Sequence, residues 1–157
     1  MKVSRRDFFI KTVQGGVILA MPGLLSSFLE SCNNNITGPA GAGLATVQGT
    51  TSGTNVVVSI DSSSPIAKTG SAALINFSNG SLLVDHPSAN TYNALSSICT
   101  HQGCQISNYD SGSNQFVCPC HGSRFDVNGN VTQGPAGAPL QKYQTSISGT
   151  QLIIKVG

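Results

Sequence analysis

Apolar and β-branched residues recur along this chain in short runs with turn residues between them. From Leu44 onward no stretch keeps the three-to-four-residue spacing of a helix face. The runs predict strands at Asn55–Ile60, Ala72–Phe77, Ser81–Asp85, Tyr92–Ile98, Gln115–Cys118, Arg124–Val127, Tyr143–Ser148 and Gln151–Val156. Asn79-Gly80 is a hairpin signal, Asn128-Gly129 and Ser148-Gly149 mark further turns, and the last two runs predict a closing hairpin. Together they predict an all-β domain over residues 44–157, an antiparallel sandwich or open barrel.

The first 31 residues have a different pattern. A charged start, S-R-R-D-F-F-I-K at 4–11, leads into an apolar stretch from Val13 to Leu29, which predicts an export signal. Arg5 and Arg6, followed by Phe8 and Phe9, resemble a twin-arginine signal. The apolar stretch holds Gly15, Gly16, Pro22 and Gly23 and is shorter than the roughly 20 residues that span a bilayer. A signal of that kind carries proteins already folded, which raises the expectation of a metal centre assembled before export. Cys32 follows Leu29-Glu30-Ser31 and resembles a lipobox cysteine, a site of lipidation. Residues 32–43 hold no apolar periodicity and predict a flexible tether. The expected place is the extracytoplasmic face of a membrane.

Charge narrows the function classes. The chain has 157 residues, room for one ordinary domain, with 8 Lys and Arg against 6 Asp and Glu. The excess belongs to residues 1–31. Beyond them Lys68, Arg124, Lys142 and Lys155 balance Asp61, Asp85, Asp110 and Asp126. A body without a basic field excludes nucleic-acid binding by phosphate neutralisation.

Four of the five cysteines and two of the three histidines lie between residues 99 and 121. They form two boxes, C-T-H-Q-G-C at 99–104 and C-P-C-H-G-S at 118–123. Each box offers a thiolate and an imidazole, a set that suits an asymmetric dinuclear centre in which one iron takes Cys99 and Cys118 and the other His101 and His121. A zinc site is the alternative, but paired zinc ligands are usually separated by two to four residues, and one residue separates Cys99 from His101. Nothing selects one cysteine as a catalytic nucleophile. His86, in D-H-P outside both boxes, reads as a surface turn histidine.

The two boxes resemble those of Rieske iron–sulfur proteins in order, direction and separation. The resemblance implies a two-loop subdomain that binds one [2Fe–2S] cluster through Cys99, His101, Cys118 and His121. It further implies a disulfide between Cys104 and Cys120, and a cluster-covering loop at G-P-A-G-A-P, 134–139, which begins at Gly134 and Pro135. By the same resemblance Ser123 stands where a serine donates to a bridging sulfide in high-potential members. Phe125 stands where those members have a tyrosine that donates to a ligand sulfur. Gln102 stands where quinol-oxidising members usually carry Leu. Phe125 and Gln102 thus depart from the pattern of the quinol-oxidising group.

Ligation by two thiolates and two neutral imidazoles makes an oxidised cluster neutral, and its potential lies at roughly −150 to +300 mV against about −400 mV for an all-thiolate ferredoxin. The implied role is one-electron transfer as a subunit of an oxidoreductase complex rather than as a complete enzyme. The favoured setting is a membrane-attached quinol–cytochrome c oxidoreductase, with quinol and cytochrome b or c-type subunits as partners. The alternatives are the small Rieske subunit of an exported molybdenum oxidase such as arsenite oxidase, with a molybdopterin subunit as partner, and a non-redox, disulfide-stapled zinc module.

Overall fold

The structure is a computed structural model that describes residues 41–157. The expected signal, Cys32 and residues 32–40 of the expected tether lie outside the described residues. Thirteen strands and no helix follow: β1 Ala42–Gly43, β2 Ala45–Gln48, β3 Thr50–Ser52, β4 Asn55–Ser59, β5 Ala72–Phe77, β6 Gly80–Ser88, β7 Thr91–Ser96, β8 Asn108–Asp110, β9 Gln115–Val117, β10 Arg124–Asp126, β11 Val131–Gln133, β12 Lys142–Ser148 and β13 Gln151–Lys155. The all-β expectation holds, and all eight expected strands form within a few residues of their expected bounds.

The larger sheet has eight strands in the order β2-β5-β6-β7-β12-β13-β4-β3. Its edge strands β2 and β3 are consecutive in sequence and joined by Gly49, so the sheet curls until its edges meet in a nearly closed barrel. Gly49 is required at that corner. A Cβ there would lie 2.6 Å from Val56 Cγ1 of β4 and 3.0 Å from Ile75 Cγ2 of β5. One pairing departs from the antiparallel expectation: β2 runs parallel to β5, with Ala45 opposite Ala73 and Gln48 opposite Asn76.

The smaller sheet has five strands in the order β1-β8-β9-β10-β11. Ala42 and Gly43, the end of the expected tether, pair with Tyr109 and Asn108 of β8. Arg124 on β10 reaches across the middle strand and donates from Nη1 to Asp110 Oδ2 of β8 at 2.9 Å. That guanidinium, with help from Ser113, holds the Asp110 carboxyl at about 2, well below the usual carboxylate range.

Strands β5, β6 and β7 are buried on both faces. Ala73, Ile75, Leu82, Val84 and Ala94 point into the barrel core with Val56, Val58, Leu152 and Ile154. Their neighbours Leu74, Leu83 and Leu95 point the other way, into a second core with Phe116, Phe125, Cys99 and Cys118. This explains why β5 and β6 read in the sequence as continuous apolar runs rather than as alternations. They form a wall between the barrel and the small sheet.

One expectation is corrected. His86 is no surface residue; it is 6% exposed, stacked on Tyr92 with ring centroids 4.2 Å apart, and its Nδ1 lies 3.0 Å from the Ile66 carbonyl. The register of β6 against β7 slips between Asp85 and Ser88, and such a bulge re-aims side chains.

Candidate metal centre

The two boxes fold into two loops of the same design. Ile98 and Gln105 bridge across the ends of the first, and Val117 and Arg124 pair across the ends of the second, so each encloses six residues. In the first loop Cys99 N–H donates to the Cys104 carbonyl at 2.8 Å, and Gly103 N–H to the Cys99 carbonyl at 2.9 Å. In the second, Cys118 N–H donates to the Ser123 carbonyl at 2.9 Å, and Gly122 N–H to the Cys118 carbonyl at 3.0 Å. Gly103 and Gly122 both have φ of 75°, which a side chain disfavours. A disulfide between Cys104 and Cys120 joins the loops.

Both loops put their first cysteine inward. Cys99 and Cys118 are free thiols, 2% and 1% exposed, at the edge of the second core. Burial pushes the Cys118 thiol above its ordinary value and a hydrogen bond with the Cys99 thiol adds to this, against the backbone N–H groups of Cys120 and His121, which favour the thiolate. The imidazoles lie further out. His101 is half-buried and His121 exposed, edge-to-face with ring centroids 4.9 Å apart.

A third segment closes over both loops. Thr100 Oγ1 donates to the Ala138 carbonyl at 2.6 Å, and Ala136 N–H donates to Ser123 Oγ at 3.0 Å. Gly134 and Pro135, joined by a cis peptide, lead into it, and Ala136 is buried in the second core. Thr100 and the Ala136 amide escaped the sequence reading, because neither has a side-chain signature of its own. Ser123 is fully buried, and having accepted from Ala136 it keeps its own O–H proton to give. Phe125 is fully buried in the same core as both thiols, and Gln102 is exposed at the tip of the first loop.

The donor set can be tested against a metal group on one further observation. His101 Nδ1 is buried and has no hydrogen-bond partner among the described residues. A ring nitrogen left bare in that way costs free energy unless something binds it, and a metal ion would. Among the described residues no three His, Cys, Asp or Glu side chains gather about a single ion position. Structural zinc takes four ligands on one ion. Two buried thiols beside two outer imidazoles instead suit two irons with two protein ligands each.

A profile of the Rieske [2Fe–2S] domain matches residues 52–144, more than half of the chain. The chain belongs to the Rieske [2Fe–2S] family. The Rieske domain binds a [2Fe–2S] cluster, and the donors present here fit one. Over 61 residues the chain is 46% identical to the cytochrome b6-f complex iron-sulfur subunit of Prochlorococcus marinus (strain AS9601), which covers 39% of this chain and 34% of that one. The corresponding subunit of Chlorobaculum thiosulfatiphilum is 41% identical over 61 residues, 39% of this chain and 33% of that one. The matched stretch thus spans about a third of the length of these curated relatives. Among solved structures, the cyanobacterial plasma membrane Rieske protein of Synechocystis PCC 6803 is 35% identical with a TM-score of 0.48, covering 54% of this chain and 85% of that one. The ferredoxin of carbazole 1,9a-dioxygenase from Nocardioides aromaticivorans IC177 is 22% identical with a TM-score of 0.50, covering 60% of this chain and 94% of that one. It shares the Rieske fold.

Proposed function

We propose that Cys99 and Cys118 hold one iron and His101 and His121 the other, and that the protein passes single electrons as a subunit of a membrane-attached quinol–cytochrome c oxidoreductase. The observation that carries this reading is the layering of the donors, with thiols buried and imidazoles toward the surface. A cluster bound in this way supplies reversible one-electron chemistry at roughly −150 to +300 mV.

The chain's own residues do the rest. The second core and the 134–139 segment keep water from the thiols. Ser123 offers its hydroxyl from a fixed position. His101 turns Nδ1 inward, which leaves Nε2 as the atom that can hold a proton. His121, the exposed imidazole, is the group a partner or a quinol meets first. The relatives named as cytochrome b6-f subunits support a setting with redox partner subunits. An export signal over 1–31, a tether after it and lipidation of Cys32 would place residues 44–157 on the extracytoplasmic face.

Metal and sulfide analysis of the purified protein tests the centre. About two irons and two acid-labile sulfides per chain are expected, and one zinc without iron would overturn it. Purification of the membrane complex tests the setting. A cytochrome b subunit among its companions is expected; a molybdopterin subunit in its place would assign the chain to an exported molybdenum oxidase.

A further inference from the structure

The two cluster loops are rooted differently. Val117 and Arg124, at the ends of the second, belong to β9 and β10 of the small sheet. Ile98 and Gln105, at the ends of the first, bridge each other beyond the end of β7. At that root three polar side chains lead back to β6. Ser97 Oγ lies 2.9 Å from the Ser81 carbonyl and 2.7 Å from Ser81 Oγ, and Gln105 Nε2 lies 2.8 Å from Ser81 Oγ. Beside them Ile106 N–H donates to the Ser97 carbonyl at 2.7 Å.

The direction of every bond in this chain follows from its end. A carbonyl can only accept, so the Ser97 hydroxyl gives its proton to the Ser81 carbonyl, and Ser97 Oγ accepts the proton of Ser81. With its own proton given, Ser81 Oγ accepts from the Gln105 amide. One hydroxyl, that of Ser81, thus joins the residue before the first loop's bridge to the residue that closes it.

Strand pairing does not call for this chain. Strands β6 and β7 pair from Leu82 opposite Ser96 onward, and Leu82, Leu83, Ala94 and Leu95 fill the cores on the two faces. Ser97 comes next and is fully buried. A buried hydroxyl costs free energy unless it is bonded, and a fully bonded polar network favours one geometry over its neighbours. What it fixes here follows from its place. Ser97 stands two residues before Cys99, and Gln105 directly follows Cys104. The ligands assigned to each iron come one from each loop, so both ligand spacings depend on where the first loop stands relative to the second. The Cys104–Cys120 disulfide ties the loops to each other, whereas the Ser81 chain ties the first loop to the barrel.

We propose that Ser81, Ser97 and Gln105 are positioning residues of the iron–sulfur centre, whose hydrogen-bond chain holds the first loop against β6 and so sets the spacing of Cys99 from Cys118 and of His101 from His121. This rests on the ligand assignment proposed above.

The test compares the full-length, cluster-loaded protein with Ser81→Ala, which removes the joining hydroxyl at a half-buried position, and Ser81→Thr, which keeps it. The measurements are iron content, reduced-state EPR, reduction potential and amide hydrogen exchange followed by mass spectrometry. In Ser81→Ala the segment 97–106 is expected to exchange at least tenfold faster, with β6 and β7 unchanged, and both the EPR g values and the potential are expected to shift. Ser81→Thr is expected to match wild type in all of these. Gln105→Met, which keeps the length of the side chain without its N–H donors, is expected to shift the potential in the same direction as Ser81→Ala. A Ser81→Ala protein that unfolds at lower temperature with wild-type g values and potential would overturn the proposal, since the chain would then serve stability alone. So would equal shifts in Ser81→Ala and Ser81→Thr. Wild type that holds no iron would overturn the ligand assignment and this proposal with it, whereas wild type with two irons beside an unaltered Ser81→Ala would overturn this proposal only.

Discussion

Gly103 and Gly122 occupy the same place in two loops that share no strand. Each is the fifth residue of its six-residue loop, each has φ of 75°, and each donates its N–H to the carbonyl of the cysteine four residues earlier. No atom lies within 4 Å of where a Cβ would stand at either position, so the requirement is one of backbone conformation and not of space. Alanine at either site is therefore expected to cost about 1–2 kcal/mol, the usual penalty for a left-handed residue, with Asn costing less. Denaturant unfolding of Gly103→Ala, Gly122→Ala and Gly122→Asn checks this; a penalty no smaller in Asn than in Ala would point to a lost contact instead.

The Cys104–Cys120 disulfide closes a loop with a sequence separation of 16. Replacing both cysteines by alanine is expected to remove about 3 kcal/mol of stability on the chain-entropy treatment. Guanidinium unfolding of the double variant, beside wild type with and without reductant, measures it. Wild type in reductant should approach the variant.

Ser123 has two tasks, and its substitution separates them from those of Phe125. Ser123→Ala leaves the buried Ala136 N–H without its acceptor, at a cost of about 1–3 kcal/mol, and removes the hydroxyl that we propose donates toward a cluster sulfur. The reduction potential is expected to fall. Phe125→Tyr adds a hydroxyl within the core that holds the two thiols and is expected to raise the potential by several tens of millivolts, where about 60 mV is a factor of ten for one electron. Voltammetry of both variants at one pH tests the pair. A fall for Ser123→Ala with no rise for Phe125→Tyr would mean that the new hydroxyl turns into the apolar core.

Asp85 sets a pH dependence with a definite sign. Burial pushes its carboxyl from 3.8 up to about 7, against the opposing influence of Asn93 and Lys142 and with a small push from Asp126. Between those values the folded state holds a proton that the unfolded state has released, so stability is full below pH 4, falls as pH rises and levels off above 7. A shift from 3.8 to about 7 is at most about 4 kcal/mol, at about 1.4 kcal/mol per pH unit. Thermal unfolding across pH 4–8 in chelator is expected to show this fall in wild type and a flatter profile in Asp85→Asn. Equal slopes in the two proteins would overturn the assignment of this pH dependence to Asp85.

Much of the centre could be read from residues that are close in sequence. Cys99 with His101 and Cys118 with His121 are local pairs, and the glycines that turn their loops stand inside the same boxes. The long strands were equally plain, because A-A-L-I and L-L-V carry enough apolar surface to be buried wherever they pair. What the sequence left unread depends on partners distant in the chain. Strands β1, β2, β3, β8 and β11 are short and largely exposed or polar, so only pairing makes strands of them. The parallel approach of β2 to β5 follows from barrel closure at Gly49. The hydrogen bonds that tie Thr100 Oγ1 to the Ala138 carbonyl and the Ala136 N–H to Ser123 Oγ join side chains to backbone atoms 38 and 13 residues away, which no local pattern records. His86 shows the limit most plainly. D-H-P reads as a polar turn, yet the stack on Tyr92 and the Ile66 carbonyl bury it, since burial is decided by what lies opposite a residue in space and not by its neighbours along the chain.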